Sequence, residues 1–115
     1  MSQFDALFQP LNINNLTIRN RVVSTAHAEV YATEGGMTTE RYVKYYEEKA
    51  KGGVGLSICG GSSVVSIDSP QSWWKSVNLS TDRIIPHFQN LADAVHKHGG
   101  CIGKILKVGN DPVGG

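Results

Sequence analysis

Gly52-Gly53-Val54-Gly55-Leu56-Ser57-Ile58-Cys59-Gly60-Gly61, near the middle of a 115-residue chain, decides the fold. The run at 54–59 is short, apolar and bounded by glycines, as expected of a strand inside a parallel sheet. Upstream, Thr38-Thr39 predicts a helix start: a threonine hydroxyl can cap free backbone N–H groups, and Glu40 suits the positive helix end. Tyr42, Tyr45, Tyr46 and Ala50 then fall on one helical face. Gly52-Gly53 ends that helix, because glycine best accepts a left-handed cap. Downstream, Pro86 suits the first turn of a second helix, with Ile85, Phe88, Leu91, Ala92 and Val95 as its apolar stripe. Gly99-Gly100 stops it, and Cys101-Ile102-Gly103-Lys104-Ile105-Leu106 reads as the next strand.

Toward the N-terminus, residues 11–23 read as a hairpin with Asn14-Asn15 at its tip, since asparagine tolerates the positive φ of tight turns. Its return strand is expected to run on into Arg21-Val22-Val23-Ser24-Thr25-Ala26, a β-branched stretch suited to burial. The order is therefore hairpin, β, α, β, α, β, which implies parallel pairing through right-handed crossovers. A (β/α)₈ barrel needs about 250 residues. The fold class is accordingly α/β, the N-terminal fragment of a TIM (β/α)₈ barrel. Residues 1–108 form a partial barrel domain and 109–115 an irregular tail. Three parallel strands leave two open edges, which predicts marginal stability alone and self-association through those edges.

Composition excludes several classes. A net charge of +1 with no basic stripe argues against nucleic acid; Lys44, Lys49 and Lys51 are interleaved with Glu40, Glu47 and Glu48 and read as a solvated helix face. No apolar run has the length of a membrane span, and the N-terminus lacks signal-peptide features. Cys59 and Cys101 sit in apolar runs and read as buried reduced thiols, so a cytoplasmic location is expected. His27, His87, His96 and His98 make no metal site; His96 and His98, two apart, point to different helix faces. No carboxylate pair is placed for acid–base work, so no catalytic residue is assigned.

Three clusters could carry function. Ser24-Thr25-Ala26-His27-Ala28-Glu29 lies at the carboxyl end of the first barrel strand, where α/β folds bind ligands. Small residues there leave room for a flat cofactor, although an ordinary strand end with an exposed histidine has the same sequence signature. Cys59-Gly60-Gly61-Ser62-Ser63 ends the second strand; paired glycines allow close ligand approach, or simply serve a turn. Trp73-Trp74 can stack on a ligand or pin a long loop, residues 60–80, to the body. Neither phosphate-loop spacing is present.

Leu7-Phe8-Gln9-Pro10-Leu11 followed by Leu16-Thr17-Ile18-Arg19-Asn20-Arg21-Val22-Val23 resembles the start of the FMN-dependent NADH:flavin oxidoreductases of the old yellow enzyme type. The resemblance continues through residues 42–46, Gly52-Gly53-Val54-Gly55-Leu56, Cys59-Gly60-Gly61 and Ala94-Val95-His96-Lys97-His98-Gly99-Gly100, covering residues 4–103. The Ala26-His27 and Gly60-Gly61 positions look like the dienoyl-CoA reductase and amine dehydrogenase or demethylase branch. It implies a TIM barrel with FMN at its carboxyl mouth, lined by Thr25, Ala26 and His27 from the first strand and by Gly60 and Gly61 from the second. It also implies NAD(P)H as electron donor and an unsaturated or amine-type small molecule as substrate. Amine dehydrogenase members carry a flavin-linked cysteine where this chain has Ala28, so non-covalent FMN is implied. The family continues after the third strand with a flavin-bonding glutamine and a histidine–x–glycine–arginine run; here Ile105-Leu106-Lys107-Val108-Gly109-Asn110-Asp111 stands instead. The isolated chain is therefore expected to be inactive. The alternatives are a non-catalytic truncated fragment acting as a binding or assembly module with a partner half-barrel, and a small α/β domain unrelated to flavin.

Overall fold

The computed structural model describes residues 2–60, 63–66, 68 and 75–104. A 3-10 turn over Asp5–Phe8 leads to β1 (Leu11–Ile13) and β2 (Leu16–Ile18), paired antiparallel with Ile13 opposite Leu16. Asn14 takes a φ of +53° at the tip, the conformation asparagine was expected to supply. The return strand does not run on. It stops at Ile18, and a separate β3 (Val23–Ser24) opens the parallel sheet. The cause lies in Arg19 and Asn20, whose side chains are drawn to the helix ends. Arg19 donates to the carbonyls of His98, Ala50 (2.6 Å) and Val54 (3.0 Å), and Asn20 Nδ2 donates to that of Gly53 (2.6 Å). A guanidinium among carbonyls at two helix ends is favourable, because those carbonyls lack intrahelical partners and carry the negative end of each dipole.

The first helix, α1 (Glu40–Lys51), starts as the sequence predicts: Thr39 Oγ1 accepts from the Tyr42 N–H at 3.1 Å. Tyr42, Tyr46 and Ala50 are buried with Val43, while Tyr45 is half-buried at the margin of that face. The chain leaves the helix through Gly53, at a φ of +108° that side-chain-bearing residues resist. The next strand, β4 (Leu56–Cys59), begins two residues later than the apolar run, since the Val54 N–H still bonds the Lys49 carbonyl of α1 (3.1 Å).

The second helix, α2 (Ile85–His96), carries Pro86 in its first turn. A 3-10 turn over Asp82–Ile84 precedes it and turns Ile84 into the core at 5% exposure. Ile85, expected in the apolar stripe, is instead 61% exposed. Leu91 and Val95 are buried and Phe88 half-buried, as expected. The last described strand is β5 (Cys101–Lys104); the remainder of the expected strand and the tail at 109–115 lie outside the described residues.

The sheet order is β3-β4-β5, all parallel, with Val23 opposite Leu56 and Leu56 opposite Cys101. Both helices pack on the face that carries Ser57 and Cys59, where the core forms around Tyr42, Tyr46, Leu91 and Val95. The opposite face is bare enough that Val23 remains 41% exposed. The described residues thus form three strands and two crossover helices of a barrel, not a closed one. Cys59 is buried, but Cys101 is only half-buried, at the edge strand. Among the described residues no helix is long and apolar enough to cross a membrane.

Candidate functional site

Parallel register fixes which residues meet. Ser24 sits opposite Ser57, and Cys59 opposite Lys104, so the chain leaving β3, β4 and β5 emerges along one edge of the sheet. Thr25, Ala26 and His27 lie just past β3, and Gly60 just past β4, at that common edge. Thr25 and His27 are exposed, and Ala26 is half-buried. Gly61, Ser62, Trp73 and Trp74 lie outside the described residues.

His27 is held at both ring nitrogens. Nδ1 lies 3.2 Å from the Thr25 carbonyl and Nε2 lies 2.6 Å from Tyr45 Oη. A carbonyl only accepts, so Nδ1 carries the proton; Nε2 of the neutral ring then accepts from the tyrosine hydroxyl. The Tyr45 ring stands edge-on to His27, with centroids 5.6 Å apart. Lys49, read as part of a solvated face, is instead packed: its Nζ donates to Ser24 Oγ (2.8 Å) and lies 4.5 Å from the Tyr45 ring centroid. Tyr45 and Lys49 thus support the strand end from α1. The sequence presents them only as a helix-face aromatic and a charge, and nothing in their spacing points to His27.

Gly60 has a φ of +70°, and a Cβ there would collide with Lys104 Nζ, so any other residue is strained and must push that amine aside. Its N–H donates to Tyr46 Oη at 3.2 Å. What Gly60 offers a ligand is therefore a thin wall and not its amide. Burial pushes the Tyr42 and Tyr46 hydroxyls far above their ordinary range, so both stay protonated. Burial likewise raises the Cys59 thiol, which makes it an inert core group. Among the described residues no group of three or more metal-ligating side chains converges. His96 is exposed, whereas His98 Nε2 bonds Glu47 Oε1 at 3.2 Å and ties the end of α2 to α1.

The model of the NADH:flavin oxidoreductase / NADH oxidase family matches residues 6–111. Over 99 residues, 86% of this chain, the sequence is 87% identical to an N,N-dimethylglycine/sarcosine dehydrogenase of Chromohalobacter salexigens. It is 44% identical over 98 residues, 85% of the chain, to a multifunctional alkene reductase/demethylase of Caballeronia cordobensis. The chain spans 14% of the length of each of these relatives. The structure of the old yellow enzyme from Trypanosoma cruzi is similar with a TM-score of 0.80 at 30% identity, covering 91% of this chain and 27% of that one. The arrangement of three parallel strands with their small-residue ends at one edge is thus the opening part of a known barrel, and the chain belongs to the NADH:flavin oxidoreductase / NADH oxidase family.

Proposed function

We propose that this chain is the N-terminal segment of an FMN-dependent oxidoreductase that moves hydride through FMN between NAD(P)H and an unsaturated or amine-type small-molecule substrate, and that its partial-barrel domain is residues 1–108. The observation that carries the reading is the meeting of Thr25, Ala26 and Gly60, three small residues from two parallel strands, at one carboxyl edge. They fit a flat ring: no side chain projects from Gly60, and Thr25 is exposed at the same edge of the sheet. Thr25, Ala26 and His27 would line the ring from one strand, with Gly60 and Gly61 from the next. Bound FMN would supply a two-electron store that the protein's own side chains lack. His27, tethered by Tyr45, holds a proton on Nδ1 at the mouth of the site. Ala28 offers no thiol for a link to the ring, so FMN would be held here without a covalent bond. The dehydrogenase relative is named for N-methylated glycines and the reductase relative for alkenes and demethylation, which supports an unsaturated or amine-type small-molecule substrate.

The chain alone is not expected to turn over, because three strands cannot enclose a ring from water. Complementation tests the reading: the chain is co-expressed with the remaining barrel of the Chromohalobacter relative. A yellow assembly with stoichiometric FMN, lost on Thr25→Trp, is the expected result. A folded assembly that stays colourless would overturn it.

A second reading, a non-catalytic module that assembles with a partner half-barrel, is favoured by exposed apolar residues. Val23 of the uncovered face is 41% exposed, Val22 before it 38%, and Phe8 63%. Concentration-dependent size by analytical ultracentrifugation, with no FMN uptake at any concentration, would favour that reading over the first.

A further inference from the structure

Behind the strand-end edge, on the helix side of the sheet, lies a small cavity that the flavin reading does not use. It is walled by Ala28, Glu29, Val30, Tyr42, Gly60 and Lys104 among others, so the segment after β3, the ends of β4 and β5, and the first turns of α1 all meet there. Its volume is about 10 Å³, near the lower limit for one water molecule. Three buried polar atoms from three separate segments reach this cavity without a hydrogen-bond partner: Glu29 Oε2, Tyr42 Oη and Lys104 Nζ. Glu29 is 8% exposed and Tyr42 2%. Native proteins satisfy nearly all such groups, directly or through ordered water. Direct satisfaction is incomplete: Glu29 and Lys104 form no ion pair, and the Glu29 carboxylate, close enough to act on the Tyr42 hydroxyl, leaves Oε2 and Oη without a well-formed bond.

We propose that this cavity is a binding site for one resident water molecule that bridges Glu29, Tyr42 and Lys104. The hydrogen-bond types match. The Lys104 amine donates to the water oxygen, the water donates to Glu29 Oε2, and the Tyr42 hydroxyl takes the third position. Three bonds are the usual number for a buried water. A cation is disfavoured by Lys104 and by Lys75, which also lines the cavity, and the Glu29 carboxylate opposes an anion; a cavity of about 10 Å³ in any case admits nothing larger than water. The local backbone supports a built site: Val30, a β-branched residue, is held at a φ of +51°, and Gly60 leaves no side chain to fill the space. Burial lowers the Lys104 pKa, consistent with an amine sealed from bulk solvent and not directly ion-paired. The bridge links the segment after β3, the first turn of α1 and the end of β5 across the back of the edge on which Thr25 and Gly60 lie. It does not depend on whether flavin binds.

The test is made on the unmodified 115-residue chain by water–protein NOE and ROE spectroscopy. The expected result is a negative-NOE, long-lived water contact at the Tyr42 hydroxyl proton, slow on the nanosecond scale. Glu29→Gln should keep that contact, since an amide oxygen still accepts. Lys104→Met, with one of three partners gone, should shorten the residence time about tenfold. A through-hydrogen-bond coupling between Lys104 Nζ and the Glu29 carboxyl would overturn the proposal, as would an unmodified folded chain with no long-lived water at Tyr42.

Discussion

Gly60→Ala tests the strand-end geometry with a magnitude that can be worked in two parts. The backbone at Gly60 lies at a φ of +70°, where an L-residue costs about 1–2 kcal/mol. The added Cβ also meets Lys104 Nζ, the far end of a flexible side chain, so Lys104 withdraws and the surrounding backbone holds its place. Displacing that amine breaks its bond to the proposed water and adds about 1 kcal/mol. The expected total is about 2–3 kcal/mol, a large share of the roughly 5–15 kcal/mol that holds a domain together. The two parts separate experimentally. Methionine is one atom shorter than lysine, so Lys104→Met removes the collision and leaves the backbone strain. In that background Gly60→Ala should cost about 1 kcal/mol less. Urea unfolding followed by far-UV circular dichroism measures both, with an expected midpoint shift of about 1 M for the single variant. A Gly60→Ala cost below about 0.5 kcal/mol, or the same cost with and without Lys104, would refute the reasoning.

Arg19→Ala should cost about 3 kcal/mol, because it strips a charged donor from three carbonyls at two helix ends, and Arg19→Lys should recover only part of that, as an ammonium cannot span the fork; chemical unfolding of both variants checks the order. Thr39→Ala should lose about 1 kcal/mol with the Tyr42 N–H left uncapped, and Thr39→Ser should retain most of it, read from the same unfolding curves. Glu47, held by His98 and Lys44, has its pKa lowered from the ordinary 4.5, so its contribution is present above that value and lost as pH falls through and below it. Stability measured from pH 7 downward should fall less steeply in Glu47→Gln than in the unmodified chain; parallel profiles would refute the assignment.

Structure is legible in the sequence where the physics is local. The Thr39 cap, the tyrosine face of α1, the glycine stops and the Pro86 helix start each depend on a few neighbouring residues, and each is found where the pattern puts it. Structure is not legible where long-range bonds decide. The β-branched residues after Asn20 predict a hairpin strand that runs on through Arg19 and Asn20, yet those two side chains are committed to carbonyls more than thirty residues away. Ile85 was placed in the core by periodicity, but the 3-10 turn ahead of α2 shifts the phase and gives Ile84 that position.

The strand-end residues themselves were legible, because βαβ topology alone forces consecutive carboxyl ends to one edge. Their supports were not. Lys104 reads as one polar residue in an apolar strand, with no indication of which face it takes. Only the pairing of Lys104 with Cys59 puts it on the helix-covered side, where it meets Gly60 and closes the cavity shared with Glu29 and Tyr42. A charged side chain in a short parallel strand therefore cannot be assigned to solvent until the register is known, and in this chain the register sends it inward.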